Sequence, residues 1–387
     1  MVRGGEEECY EGDVALMRSF GHEVITYEQD NRRVAELPGW RVGVRTVWSG
    51  EDYRALRRTI RETRPDVVGI HNFFPLISPA ACYAAKAEGV PVVQFLHNYR
   101  LNCPNGLFFR DGRVCEECLG RALPWPGVRY GCYRESKAAS GAVSVMLGVH
   151  RALGTWAQKV DMFCSLTEFA RRKYIEGGLP ADKIMVKPPY LSAGTRPGDG
   201  RGGYAIFVGR LSPEKGLDIL LAAWEQLGQR IPLKIVGAGP LAGQVAEAAR
   251  RLPGVEWVGR KTLDEVCELV GGAAFLVFPS KWYETFGRVA IEAFAKGTPV
   301  IASRIGAIAE LVEPGHTGLM FRPGDAPDLV AQVEWALDHP EQLARMRRAA
   351  RAEFEAKYTA ERNYEILMNI FERVTRGSGK HPLLRAP

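Results

Sequence analysis

No stretch of the 387-residue chain strings together the roughly 18 apolar residues that a membrane-spanning helix needs. The N-terminus also lacks the basic start and apolar core of a secretory leader, so the chain is expected in the cytoplasm. Charge imbalance is slight. A net charge of +6 and a pI near 8.8 suit phosphates or an anionic membrane face but fall far short of a nucleic-acid footprint, and no nucleic-acid partner is expected. Cysteine is sparse, with eight residues in all. Cys9, Cys82, Cys164 and Cys267 are scattered in helix- or strand-like context, as buried free thiols are.

What is present is alternation. At this length two domains are expected. Strand-like runs at 22–27, 42–47, 66–70, 90–97, 160–166 and 183–186 alternate with helical patterns at 52–63, 79–88 and from Glu168 onward. Such alternation predicts an α/β fold with a doubly wound parallel sheet. Gly4 and Gly5 precede Glu6, Glu7 and Glu8 as in a strand-to-helix turn, with no strand before them. The first domain, 1–191, is therefore expected to lack its first strand. The neighbouring faces would be left uncovered at about 25 cal/mol per Å², several kcal/mol in sum.

Residues 192–203, rich in Gly, Pro, Arg and Ser, read as an interdomain linker. A second alternating domain, 204–357, follows, with strands at 204–208, 233–236, 255–258, 273–278, 299–302 and 319–321. A long helical pattern at 340–376 breaks near Tyr358, its last part (358–376) reading as a separate C-terminal helix, and 377–387 reads as a disordered tail.

Two carboxylates stand in apolar surroundings within this second domain. The run 273–278 has the composition of a strand buried on both faces, closed by Pro279. Past the loop, Val289, Ala290, Ile291, Ala293, Phe294 and Ala295 surround Glu292 on nearly every side of a helix, so its carboxylate is expected to be buried without a neighbouring partner. Glu284 lies in the loop where that helix starts. The N–H groups of Phe286, Gly287 and Arg288 would form the helix N-terminus, which attracts phosphate. The plainer alternative makes Glu284 a solvated loop charge and Glu292 a helix residue satisfied by a local Arg or Lys.

Cys103, Cys115, Cys118 and Cys132 are spaced C-x11-C-x2-C-x13-C in a segment, 101–134, without helix or strand period. A loop this long is either functional or pinned. Four thiolates around a structural Zn²⁺ would pin it; unbound thiols and disulfides are the alternatives. The same segment carries several arginines and runs into a small, apolar helical pattern at 136–149, which permits reversible contact with anionic lipid or a merely solvated surface.

The spacing Glu284-x7-Glu292 around Thr285-Phe286-Gly287 resembles the signature of family 4 glycosyltransferases, and the turn Gly209-Arg-Leu-Ser-Pro-Glu-Lys-Gly216 after a strand resembles that family's phosphate-contacting turn. The resemblance implies a GT-B fold, with two Rossmann-like domains facing a cleft and the C-terminal helix returning to the first. It implies a retaining transfer of sugar from a UDP- or GDP-type donor to a glycan or lipid-linked hydroxyl acceptor, as in cell-envelope or exopolysaccharide synthesis. No catalytic cofactor is implied. Carried over residue by residue, it places Arg210 and Lys215 on the donor diphosphate, Glu284 at the donor sugar and Glu292 on the ribose. His97 would stand near donor sugar and acceptor, the segment 101–134 would shape the acceptor pocket, and His71 matches more weakly; each histidine could equally cap its strand. Gly4, Gly5, Gly209, Gly237 and Gly239 would let backbone approach the donor, beside Thr285, Phe286 and Gly287, with 259–261 near the base. Two rival readings are a nucleotide-sugar epimerase on the same fold and a non-catalytic nucleotide-sugar-binding protein.

Overall fold

The computed structural model describes residues 5–191 and 196–376. Gly4, residues 192–195 of the expected linker and the expected tail 377–387 lie outside the described residues. In chain order the strands are β1 (Val68–Ile70), β2 (Val92–Leu96), β3 (Phe109–Arg110), β4 (Arg113–Val114), β5 (Met162–Ser165), β6 (Ile184–Val186), β7 (Ala205–Val208), β8 (Leu233–Val236), β9 (Val255–Gly259), β10 (Phe275–Phe278), β11 (Val300–Ser303) and β12 (Gly318–Phe321). The chain divides into two compact units, one of residues 5–108, 115–188 and 364–376, the other of 109–114, 189–191 and 196–363.

The first unit carries a parallel sheet in the order β1-β2-β5-β6. Every residue of β2 and β5 is buried, as central parallel strands with helices on their faces require. One face is covered by the last helix, Ala360–Arg376, whose Leu367, Met368, Ile370 and Phe371 pack on Val93, Phe95, Met162 and Cys164. Each such side chain contributes about 1.5–3 kcal/mol on burial. The break expected near Tyr358 falls between the helices Pro340–Lys357 and Ala360–Arg376.

Three local expectations are corrected. Residues 42–47 belong to a helix, Gly39–Val47, not a strand. The V-G-V-R-T-V pattern imitates a strand period, but the residues form a helix that packs on its neighbour Lys137–Ala152, where a Cβ at Gly43 would make an ordinary contact of 3.6 Å with that of Ala142. Residues 22–27 belong to no regular element and pair with no strand among the described residues. They are held by side chains instead, His22 Nε2 to the Tyr364 hydroxyl at 2.8 Å and the Tyr27 hydroxyl donating to Asp52 at 2.7 Å. Segment 101–134 is not wholly irregular, holding the β3–β4 hairpin and the short helix Trp125–Arg129.

The second unit carries a six-stranded parallel sheet in the order β12-β11-β10-β7-β8-β9. Succession runs outward from β7 through β8 to β9, then restarts at β10 and runs the other way. The reversal leaves a crevice at the C-terminal ends of β7 and β10, where open sheets of this type take ligands. Residues 196–203, expected as linker, are bonded into this unit: the N–H groups of Gly198, Gly200 and Gly202 donate to the carbonyls of Lys296, Gly271 and Gly272 at 2.9, 3.0 and 2.9 Å.

Candidate functional site

The turn after β7 and the loop after β10 meet at that reversal point. Lys281 N–H donates to the Glu214 carbonyl at 2.9 Å, and Gly216, at φ +72°, lies so close to Pro279 that a Cβ would stand 1.9 Å from its carbonyl oxygen. Only glycine suits both that conformation and that contact. The turn carries Lys215 into the loop, where its Nζ donates to Glu284 Oε1 at 2.6 Å. The same oxygen accepts from Ser280 Oγ and Trp282 Nε1, each at 2.8 Å. Glu284 is 6% exposed, which removes the solvated-charge reading. Three donors on one carboxylate oxygen fix its position. Ser280 and Trp282 were not singled out from the sequence; their signal is the alternation Ser280-x-Trp282-x-Glu284, which lines three side chains along one edge of an extended loop.

Thr285, Phe286 and Gly287 lead into the helix Arg288–Ala295, whose N-cap is Gly287 at φ +109° with no side-chain capping bond. A helix start of this kind directs N–H groups outward beside the Lys215–Glu284 pair. Glu292 is buried on that helix, as expected, but it is not without a neighbour: Arg288 Nε stands 3.3 Å from its Oε1. One helical turn separates residues at i and i+4, so an Arg at position 288 reaches a Glu at 292 whatever the apolar residues around it do. The local-Arg alternative is therefore the observed one, and it places a fixed cation next to the carboxylate.

Gly209, Gly237 and Gly239 line the adjoining strand ends. Gly237 lies against Gly209, a Cβ there standing 1.9 Å from the Gly209 carbonyl oxygen, and one at Gly239 would stand 2.4 Å from that of Leu211. Arg210, by contrast, is exposed. The second unit thus brings together Lys215, Glu284, Thr285, Phe286, Gly287 and Glu292 around the end of β10, with Gly209, Gly237 and Gly239 on the β7–β8 side.

His97 and Gly5 belong to the first unit. Gly5 opens the helix Gly5–Ser19. His97 follows β2, and its Nε2 lies 3.0 Å from Nδ1 of His71, which follows β1. Enclosure pushes both rings well below the usual imidazole range, helped at His71 by Lys187 and at His97 by His71. They are neutral hydrogen-bonding groups at neutral pH. Behind them Lys187 is bonded to Asp13 at 2.7 and 3.0 Å, both buried, with Asp13 3.9 Å from His71 Nε2. A buried ion pair adds little net stability and marks a place where polarity itself is wanted. Neither Asp13 nor Lys187 stood out in the sequence, since each is a single charge in an ordinary helix or after a short strand.

All eight cysteines are free thiols. Among the described residues no three His, Cys, Asp or Glu side chains stand in position to hold a metal ion. No described helix is long and apolar enough to cross a membrane.

Two family models match the chain, the glycosyl transferase 4-like domain over residues 4–189 and glycosyl transferases group 1 over residues 198–353. The glycogen synthase of Mycobacterium tuberculosis is 34% identical over 349 residues, covering 85% of this chain and 73% of the relative. An uncharacterized glycosyltransferase of Methanocaldococcus jannaschii is 31% identical over 174 residues, covering 44% of this chain and 48% of the relative, so that match spans about half the length of that relative. In fold, the chain is similar to Anabaena HepE crystallised with UDP and glucose, at a TM-score of 0.67 and 16% identity over 95% of this chain and 96% of that one. The two Rossmann-like units and the site at the sheet reversal define a glycosyltransferase of the GT-B fold. The chain belongs to the GT4-like glycosyltransferases.

Proposed function

We propose that this enzyme is a retaining glycosyltransferase that moves a sugar from a nucleoside diphosphate to a hydroxyl of a glycan or lipid-linked acceptor in cell-envelope or exopolysaccharide synthesis. The observation that carries the reading is the Lys215–Glu284 pair at the sheet reversal beside an uncapped helix start. Cleaving a glycosyl phosphate bond builds negative charge on the departing diphosphate; Lys215 and the helix N–H groups are assigned to stabilise it, and Arg210, exposed on the same turn as Lys215, is assigned to meet it from solvent. Glu284 orients the sugar, and a diphosphate oxygen takes the proton of the incoming hydroxyl on the same face, so no resident cofactor is called on. UDP in the HepE crystals is consistent with a uridine donor. The test is product analysis with a panel of nucleotide sugars: transfer with the donor's anomeric configuration kept supports the proposal, whereas an epimerised donor formed without acceptor, or no turnover with any donor, sinks it.

Glu292 is assigned to the ribose hydroxyls, held in place by Arg288. Glu292→Ala is expected to weaken UDP binding about tenfold or more, since charge-assisted hydrogen bonds are worth about 1.5–3 kcal/mol. Titration calorimetry with UDP alone checks this, and unaltered affinity would overturn the ribose assignment.

The acceptor is assigned to the polar end of the first unit around His97, His71 and the Asp13–Lys187 pair. The same unit carries an apolar face suited to an anionic bilayer. Trp40 and Val44 on one helix and Val145 and Val149 on its packed neighbour are exposed, Trp40 by 69%. Arg41 lies over the Trp40 ring at 5.3 Å and Arg121 over that of Trp125 at 5.6 Å, the pairing of amphipathic ring and cation that lodges at a lipid headgroup layer. Trp40→Ser with Val44→Ser is expected to reduce sedimentation with phosphatidylglycerol vesicles several-fold while leaving transfer to a soluble acceptor intact. Equal sedimentation of variant and parent, or none by the parent, would contradict it.

A further inference from the structure

Asp13, Lys187, His71 and His97 come together inside the first unit, one from each of four elements: the helix Gly5–Ser19 carries Asp13, His71 follows β1, His97 follows β2 and Lys187 follows β6. The His71 ring is clamped. Phe95 lies on its face, ring centres 4.1 Å apart and planes 14° from parallel, and Tyr10 meets it edge-on at 5.2 Å. Its Nδ1 stands 3.0 Å from His97 Nε2, and its Nε2 stands 3.9 Å from Asp13 Oδ2. Asp13 is fixed in turn by Lys187, whose ammonium donates to both carboxylate oxygens and lies 5.7 Å from the centre of the Phe95 ring.

These positions give the hydrogen bonds a direction. A neutral imidazole donates through one ring nitrogen and accepts through the other. With its lone pair on Nε2, His71 would set two electron-rich atoms against each other across 3.9 Å; with the proton there, it turns the positive end of the N–H dipole toward Asp13. That separation is too long for a hydrogen bond, so the carboxylate acts through its field, which an enclosed site screens weakly. Nδ1 of His71 then carries the lone pair and can only accept, so the bond at 3.0 Å is donated by His97 Nε2–H. His97 is left with its lone pair on Nδ1, on the other flank of the ring. Lys187 has a separate part. A lone Asp13 carboxylate would draw a second proton onto the pair of rings; the ammonium opposes this at both histidines, in the same direction as their enclosure.

We propose that Asp13 and His71 are positioning residues: Asp13, neutralised by Lys187, keeps the His71 proton on Nε2, and His71 Nδ1 takes the Nε2–H of His97, so that His97 offers Nδ1 as a hydrogen-bond acceptor to a sugar hydroxyl. The sugar rests on the glycosyl-transfer reading; the proton arrangement does not. A hydroxyl can donate to a lone pair at Nδ1, whereas the opposite tautomer would ask the substrate for an acceptor. The arrangement thus selects the polarity of the group that His97 meets as well as the angle of its ring.

The test is nitrogen-15 NMR of the histidine side chains in the full-length protein, which reads tautomers from the ring nitrogen shifts, paired with kinetics of two His71 variants. At pH 7 both rings are expected neutral with the proton on Nε2. His71→Asn sets an amide oxygen close to the place of Nδ1 and should keep kcat within a few-fold of the parent. His71→Leu removes the acceptor; kcat should fall about 10–100-fold with UDP affinity unchanged, and His97 should become a mixture of tautomers. Removing both buried charges together, by Asp13→Leu with Lys187→Met, should likewise leave His71 as a mixture, and a persisting Nε2–H there would remove Asp13 from the account. A His97 proton on Nδ1, an imidazolium at either position at pH 7, or a His71→Asn enzyme as impaired as His71→Leu overturns the proposal. Should the variants fail to fold, the spectrum of the parent protein decides. Tautomers are read without turnover, so failure of the glycosyl-transfer reading and failure of this proton arrangement are told apart.

Discussion

Lys215→Ala is expected to lower kcat by about 10²–10³-fold while leaving UDP affinity within a few-fold of the parent, the loss typical of removing one preorganised group that meets developing charge. The ammonium is anchored by Glu284 at 2.6 Å and packed near the Phe278 and Trp282 rings at 5.9 and 5.4 Å, so it does not have to be ordered as the bond breaks. Its side chain is 22% exposed, so the ammonium is not sealed off from solvent. On the proposed assignment, ground-state binding is shared with the helix start and the glycine-lined strand ends, which is why affinity should change little. Alanine also removes the charged donor to Glu284 while Ser280 and Trp282 remain bonded to it. Some loss of stability is therefore expected, and thermal unfolding must accompany the kinetics. Should kcat fall only in proportion to the unfolded fraction, the leaving-group role is refuted.

Gly237→Ala is expected to cost about 2–4 kcal/mol, because the new Cβ meets backbone and cannot be relieved by a rotamer change. Gly237 has φ +146°, its N–H donates to the Gly259 carbonyl at 2.8 Å, and its Cβ would lie 1.9 Å from the Gly209 carbonyl oxygen. Relief would separate the C-terminal ends of β7 and β8 and move the turn that carries Lys215. At about 2–4 °C per kcal/mol for a unit of this size, Tm should fall by roughly 5–15 °C. Gly243→Ala is the control. It lies in the helix Ala242–Arg251 with nothing within 4 Å of its Cβ position, and should leave Tm unchanged or slightly raised. Equal Tm values for the two variants would show that the strand ends yield more readily than their packing implies.

The contrast between the units shows what could be read in advance. In the second, continuous apolar runs such as the one ending at Phe278 are long enough, and bounded clearly enough by Pro279 or glycine, to be strands and nothing else. In the first, 42–47 misled because a helix that packs on a neighbour can show alternation along its sequence. Residues 22–27 misled because a strand-like run is not a strand until another strand meets it. At the site, Glu292 was legible as buried, whereas Glu284 could be read only as a loop carboxylate in an apolar stretch. The partners of Glu284 were not legible, because Trp282 and Ser280 reach it through loop geometry; the partner of Glu292 was foreseen only as an unspecified local Arg or Lys, which the i,i+4 spacing identifies as Arg288. The order of strands β7 and β10, which explains why these loops meet, is a property of the folded sheet and leaves no mark on local composition.

The most direct test of the central claim is a crystal structure of the protein with an intact nucleotide sugar. The account predicts the diphosphate against Lys215 and the N–H groups at the start of helix Arg288–Ala295, the sugar at Glu284 and the ribose at Glu292. A nucleotide bound away from the ends of β7 and β10, or a diphosphate out of reach of Lys215, would contradict it.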